Sequence, residues 1–314
     1  MSFLVLHPGT YSLLVDAGRP RSRCLGIPLG GAADRAALAI GNALAGNSNN
    51  AVALEMTFSG PTLVAERDVS ACVFGASFRI QLDEEIIAAG SLFQVRAGQT
   101  LKIGGASRGV RAYLCVRGGF ESKSILESGS AFAPITEHDR LVCPASKGSG
   151  RTLSYANVEA LFDESERDGV ITDKSGRTPT LRVIDGPQTD WFSDREFYQQ
   201  TFAVSPASNR MGVRLLGEPL IRQPREMISE AVTPGATQIT NEGLPIVLGV
   251  DGQTIGGYPK IAQVIGADLD RIAQLRPGQQ IHFERISIDE AEALSQKHRS
   301  KLRKWLTALR LSAE

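Results

Sequence analysis

Apolar residues recur along most of this chain at every second position, in short runs punctuated by glycine. In "SFRIQL", Phe78, Ile80 and Leu82 fall on one side of an extended chain and Arg79 and Gln81 on the other. The same rhythm runs through "SACVFGA", "GSLFQVRAG", "QTLKIGG", "RAYLCVRGGF" and "DRLVCPA". Short strands with one apolar and one wet face are the grammar of an antiparallel barrel or sandwich, so the chain is expected to be mainly β. Helical spacing is confined to a few places. "GAADRAALAIGNALAGN" reads as a helix entered at Asp34 and left at Gly46-Asn47, with enough Ala and Gly to pack closely on a sheet. "TDWFSDREFYQQTF" reads as another. Near the end, Leu302, Trp305, Leu306 and Leu309 share one stripe of a basic segment, which predicts a docked C-terminal helix with a solvated face.

Alternation gives way between about residues 145 and 178 to a stretch rich in charge, Ser and Gly, and resumes at "LRVIDGPQTDWF". A domain boundary is therefore expected near Gly176, giving domains over 1–176 and 177–290 and a helical tail over 291–314. The second half repeats the strand grammar of the first in "RMGVRLLG", "LPIVLGV" and "QIHFERI", which suggests a tandem of two small barrels.

Length and composition narrow the function. A chain of 314 residues exceeds the usual single domain. Its 34 Lys and Arg balance 34 Asp and Glu, so no overall basic field draws nucleic acid, and no nucleic-acid partner is expected. No apolar run reaches bilayer length and the N-terminus lacks a basic leader, which predicts a cytoplasmic protein without a membrane partner. Cys24, Cys72, Cys115 and Cys143 are widely spaced and read as reduced thiols. His7, His138, His282 and His298 make no metal-ligand spacing either, so no metal site is expected. Catalysis must then rest on carboxylates, Lys, Arg, Tyr or backbone groups.

Four stretches carry candidate chemistry. "GIPLGGAADRAALAIGN" leads glycines into a helix, but it lacks phosphate-loop spacing and puts Asp34 where an anion would sit. Asn42, Asn47 and Glu55 are oddly polar for a packed helix and strand, and are candidates for a buried polar cluster lining a cleft. "RPRSRCLG" gathers Arg19, Arg21 and Arg23, either a solvated turn or a carboxylate or phosphate ligand set. "SNRMGVRLLG" sets Arg210 and Arg214 at strand spacing on one face with Gly212, where they need an acid, an anion or water between them. In "DGQTIGGYPK", Gly256 and Gly257 could supply positive φ to a turn that Tyr258 caps. Alternatively, Asp251, Gln253, Thr254, Tyr258 and Lys260 could orient a small amide or carboxylate and stabilise an oxyanion. The residue pattern leaves both readings open.

Taken in order, "DAGRPRSRCLGIPLGGAADRAALAIGNALAGN", "ALEMTFSGPTL", "RVIDGPQTDWF", "SNRMGVRLLG" and "GLPIVLGVDGQTIGGYPKIAQVIGADLDRIAQLRPGQQIHF" resemble the biotin-dependent carboxyltransferase-like family, also called allophanate hydrolase subunit 2. That family includes the C-type subunits of 5-oxoprolinases and the Kip antagonist proteins. The resemblance covers nearly the whole chain and implies two tandem cyclophilin-like β-barrel domains with a few helices and a C-terminal helix. It implies assembly with B-like and A-like 5-oxoprolinase proteins for the ATP-dependent opening of 5-oxoproline to glutamate, with ATP and Mg at a shared or partner site. On that reading Asp251, Tyr258 and Lys260 are the expected catalytic residues. Arg19, Asp34, Asn42, Glu55, Arg210, Arg214, Gln253 and Thr254 are the expected substrate-binding ones. A biotin-dependent carboxyltransferase acting on urea or a similar amide is the alternative enzyme, with biotin arriving on another chain, and a non-catalytic regulatory partner is the third reading. The chain departs from the family pattern at Val15, where Gln is usual, and at Gly252, where His is frequent. It also departs at Glu127 and Gly129 within "ILESGSAF" and at "TQIT" over Thr237 to Thr240, and these departures bear on the substrate more than on the fold.

Overall fold

The computed structural model describes residues 2–146 and 178–313, and the boundary expected at Gly176 lies outside the described residues. The described residues fall into two compact units. The first holds residues 2–18, 34–146 and 300–313, and the second holds 19–33 and 178–299.

In the first unit the alternating runs form two antiparallel sheets. One has the order β11 (Arg140–Leu141), β1 (Phe3–His7), β4 (Thr62–Ala65), β9 (Thr100–Ala106), β6 (Phe78–Leu82) and β7 (Glu85–Ile87). The other runs β2 (Tyr11–Val15), β3 (Ala53–Thr57), β10 (Arg111–Val116), β5 (Val69–Gly75) and β8 (Leu92–Val95). Their facing residues share one core, with Val5, Leu63, Ile80, Leu101 and Ile103 from the first sheet and Leu54, Met56, Val73 and Leu114 from the second. The other face of the five-stranded sheet is covered by α1 (Arg35–Leu44), capped by the Asp34 carboxylate, which accepts from the Ala37 amide at 2.9 Å.

The second unit is a closed barrel of seven strands: β12 (Thr180–Asp185), β19 (Lys260–Val264), β16 (Ala236–Ile239), β17 (Pro245–Leu248), β14 (Gly212–Leu216), β13 (Phe202–Val204) and β20 (Gln280–Arg285). Pairing is antiparallel except where β12 meets β20 in parallel and closes the ring. Leu181, Val183, Phe202, Leu215, Val247, Val264, Ile281 and Phe283 fill its interior with Phe197, from α2 (Asp194–Tyr198), stacked on Phe283 at 4.6 Å. A two-residue ribbon pairs β15 (Glu230–Ala231) with β18 (Ile255–Gly256). The short α3 spans Leu269–Ile272, and α4, over Ile288–Ala313, runs from the second unit into the segment counted with the first. Trp305, Leu306 and Leu309 on its apolar stripe are buried as the spacing predicts. Among the described residues no helix is long and apolar enough to cross a membrane.

The expected pair of tandem barrels is corrected by this topology. Among the described residues only the second unit holds a closed barrel, while both sheets of the first are open. Closure requires the two edge strands to hydrogen-bond each other, and in the first unit the edges at β11, β7, β2 and β8 each pair on one side only. Period-two alternation is the same in a sandwich and a barrel, so the sequence pattern alone could not separate them.

Candidate functional site

Two polar clusters stand out, one in each unit. In the first unit, alternation along β3 and β10 sends Leu54, Met56, Ala112 and Leu114 into the core and turns Glu55, Thr57, Arg111 and Tyr113 to the opposite face. Register then sets Tyr113 directly opposite Glu55 and Arg111 opposite Thr57. The Tyr113 hydroxyl donates to Glu55 Oε2 at 2.8 Å and accepts the Asp34 amide at 2.8 Å, joining the strand carboxylate to the start of α1. Arg111 Nε stands 3.6 Å from Glu55 Oε1. Burial pushes the Tyr113 phenol far above its ordinary range, and the nearby Glu55 and Asp34 charges push it the same way, so it remains a neutral donor. The sequence pattern marked Asp34 and Glu55 here but passed over Tyr113 and Arg111. The register of β3 on β10, invisible without the pairing, is what brings them in.

Asn42, expected beside Glu55, is fully buried. It donates to the Ala51 carbonyl at 2.8 Å and accepts from Asn47 Nδ2 at 3.0 Å, while Asn47 also donates to the Val116 carbonyl at 2.7 Å. Asn42 and Asn47 therefore tie the exit of α1 to the strands beneath it. The Asp34 carboxylate occupies the N-terminus of α1, so this glycine-led helix start does not fit a triphosphate.

In the second unit the segment 19–33 lies with the barrel residues. Gly30 donates its amide to the Val250 carbonyl at 2.9 Å. Arg210, 6% exposed, grips both oxygens of Asp251 through Nε at 2.6 Å and Nη2 at 3.0 Å, and gives Nη2 to the Gly31 carbonyl at 2.6 Å. Arg19 is buried close to Gly30. Arg23, absent from the expected set, reaches the Val232 carbonyl and the Gln253 carbonyl through Nη2, the latter at 2.9 Å. Arg214 sits one strand position beyond Gly212 and Val213 on β14 and is exposed, so it does not share the buried setting of Arg210. Asp251 is the acid that Arg210 meets.

Beyond Asp251 the glycine-rich stretch forms β18 and then enters β19. Gly256 and Gly257 do not take positive φ. Gly256 instead leaves room for neighbouring side chains: a Cβ there would displace the Gln238 amide nitrogen and come within 3.1 Å of that of Gln253. A bulge in the β16–β19 pairing lets Ile261 stay in the core and sets Lys260 opposite Gln238. Lys260 Nζ pairs with Glu230 and approaches the Ala231 carbonyl at 3.4 Å. Gln238 donates to the Tyr258 carbonyl at 3.2 Å and accepts from Gln253 at 3.5 Å, and the Thr254 carbonyl accepts the Val232 amide at 3.0 Å. The structure thus gathers Asp251 with Arg210 and Arg19, and Lys260 with Gln253, Thr254 and Tyr258 around the ribbon. Glu230 and Gln188, which the sequence reading missed, complete this face with Arg23 of the arginine-rich loop.

A family model described as "Carboxyltransferase domain, subdomain A and B" matches residues 25–285. The chain belongs to the carboxyltransferase family. Over 94% of its length this carboxyltransferase-family chain is 35% identical to the C-type subunit of 5-oxoprolinase from Haemophilus influenzae, covering 94% of that protein. A crystal structure of TTHA0988 superposes with a TM-score of 0.77 at 32% identity over 90% of the chain, which spans 55% of that longer chain. A crystal structure of the K. lactis urea amidolyase gives a TM-score of 0.84 at 25% identity over 97% of the chain, which corresponds to 20% of that protein. These relatives place the carboxyltransferase-family chain within an enzyme family.

Proposed function

We propose that this chain is the C-type member of an ATP-dependent complex that opens the lactam of 5-oxoproline to glutamate, inactive without A-like and B-like 5-oxoprolinase partners. The observation that carries this reading is the 35% identity to a C-type 5-oxoprolinase protein over 94% of both chains. A lactam resists hydrolysis because its amide is resonance-stabilised, and ATP used on a partner chain would supply the activation. This chain would hold the substrate. Arg19 and Arg210 would complement its carboxylate, Lys260 with Gln253 and Thr254 would orient the ring carbonyl, and Asp251 and Tyr258 would order the protons around it. Asp251 would act largely through Arg210, whose fork it holds. In the first unit Asp34, Glu55 and Asn42 are already committed, to Ala37, to Tyr113, and to Ala51 and Asn47 respectively.

The test is purification of the chain with its partners from its own cells, followed by assay for glutamate and ADP from 5-oxoproline and ATP. Both products should form together and vanish when this chain is omitted. The resemblance to a urea amidolyase supports a second reading, a carboxyltransferase working with biotin on another chain. A biotin-bearing partner and no glutamate would select it. Turnover that persists without this chain would reject a catalytic part for it.

A further inference from the structure

Lys260 is nearly enclosed, with 10% of its side chain exposed, and it is held from two directions. The Gln188 side-chain carbonyl accepts the Lys260 amide at 2.9 Å, and the Gln188 amide donates to the Lys260 carbonyl at 3.1 Å, so one residue clamps the backbone at the start of β19. Gln188 Nε2 turns to Glu230 Oε2 at 3.4 Å, the same oxygen that meets Lys260 Nζ. Gln188 is buried, while Glu230 stands on the ribbon with 42% of its side chain exposed. A lysine head has three N–H donors. Two are accounted for by Glu230 and the Ala231 carbonyl, and among the described residues no protein acceptor takes the third. The β19 register sets Lys260 opposite Gln238, whose side chain accepts from Gln253.

We propose that Glu230, steadied by Gln188, is the positioning residue that aims the third donor of Lys260 at a carboxylate or carbonyl oxygen of the bound substrate. The inference rests on the function proposed above for the substrate's identity, although the Glu230–Lys260 geometry stands without it. Lysine is a flexible point charge, and without a fixed partner its head would sample many rotamers. Glu230 restricts it to one. The neighbouring Lys260 also holds the Glu230 carboxyl below its ordinary range, so the pair persists into mildly acidic solution.

The experiment uses the full chain with its partners and three variants: Glu230→Gln, Glu230→Asp and Lys260→Ala. Two readouts are taken on variants with unchanged circular dichroism: kcat and KM for 5-oxoproline in all three, and the rate at which acetic anhydride modifies Lys260, followed by mass spectrometry, in the unaltered protein and the two Glu230 variants. Glu230→Gln should lower kcat/KM by about 10- to 100-fold, the range expected when a working group is misplaced. Glu230→Asp should recover most of it, and Lys260 should be modified several-fold faster in Glu230→Gln than in the unaltered protein. Wild-type kinetics in Glu230→Gln with loss in Lys260→Ala would overturn the positioning role and leave the proposed function standing. If the unaltered complex turns over no 5-oxoproline, the proposed function fails, and the modification rates alone decide the inference: equal rates overturn it and faster rates in Glu230→Gln support it.

Discussion

At the scale of single residues, buried carboxylates and the groups that satisfy them set the local stability of both units. Tyr113 is the clearest case, because its hydroxyl serves Glu55 and the Asp34 amide at once. Tyr113→Phe removes both bonds without changing the ring, and the loss of two buried hydrogen bonds should destabilise the fold by about 1–3 kcal/mol. Urea unfolding should show this as a lower midpoint at unchanged slope. Asp16 offers a second test. Burial pushes its carboxyl up, but hydrogen bonds from Ser128 and Ser130 at 2.6 Å, from Gly18 at 2.8 Å and from Gly129 at 2.7 Å outweigh burial and hold it below the ordinary range. A depressed folded-state value means the stabilisation is complete above an ordinary aspartate's titration near pH 4 and is lost as pH falls through the lower folded value. Asp16→Asn should therefore lower Tm at neutral pH, and the gap from the unaltered protein should narrow below about pH 4. A constant gap from pH 7 to pH 3 would count against this carboxylate. The segment it holds contains Glu127 and Gly129, where the chain departs from its family's pattern, so a buried acid and two serines keep that departure in shape.

At the scale of elements, the strands and the two long helices were legible because their patterns are local. Asp34 caps α1 as its sequence position suggests, and "SIDE" at Ser287 to Glu290 forms a reciprocal cap at the start of α4, with Ser287 N–H donating to Glu290 at 2.9 Å and Glu290 N–H to Ser287 at 3.2 Å. Three things were not local and were not legible. Closure of the sheets depends on which edge strands meet. The place of Tyr113 and Arg111 depends on the register of β10 against β3. The pairing of Lys260 with Glu230 depends on a ribbon of two residues on each side, too short to show alternation. Packing also overrides helical propensity inside α1. Replacing Gly41 by alanine in an open helix would stabilise it by roughly 1 kcal/mol. Here a Cβ would lie 2.8 Å from Cys115 Sγ and 3.2 Å from Phe74 Cβ, both on the buried sheet beneath. Gly41→Ala should instead cost about 1–3 kcal/mol through overpacking, and a thermal melt that rises on this change would show that α1 is less tightly seated.

At the scale of the whole molecule, chain order and compact units do not coincide. The segment 19–33 lies between β2 and α1 in sequence, both in the first unit, yet it is counted with the barrel unit. The reason is visible in its bonds within that unit: Gly30 N–H to Val250, the Gly31 carbonyl to Arg210, and Arg23 to Val232 and Gln253. Each replaces a bond to water with one to barrel residues, and Arg210 does so with a charged donor already oriented by Asp251. The arginines of "RPRSRCLG" are therefore not all a solvated turn, since Arg19 is buried and Arg23 half-buried. If these bonds hold the segment, a change in the barrel must be felt in residues more than 170 positions earlier, consistent with the 179-residue separation of Arg210 and Gly31. Arg210→Ala should speed amide hydrogen exchange at Gly30 and its neighbours by an order of magnitude or more, the effect of losing about 1.5–3 kcal/mol of charged hydrogen bonding from a local opening equilibrium. Asp251→Asn, which keeps the shape of the acceptor but not its charge, should produce a smaller increase at the same amides. Exchange at β1 and β4, held by the core of the first unit, should not change in either variant. Uniform acceleration in β1, β4 and 19–33 alike would mean that Arg210 supports global stability instead of holding this segment, and Asp251 would then lose the orienting role assigned to it.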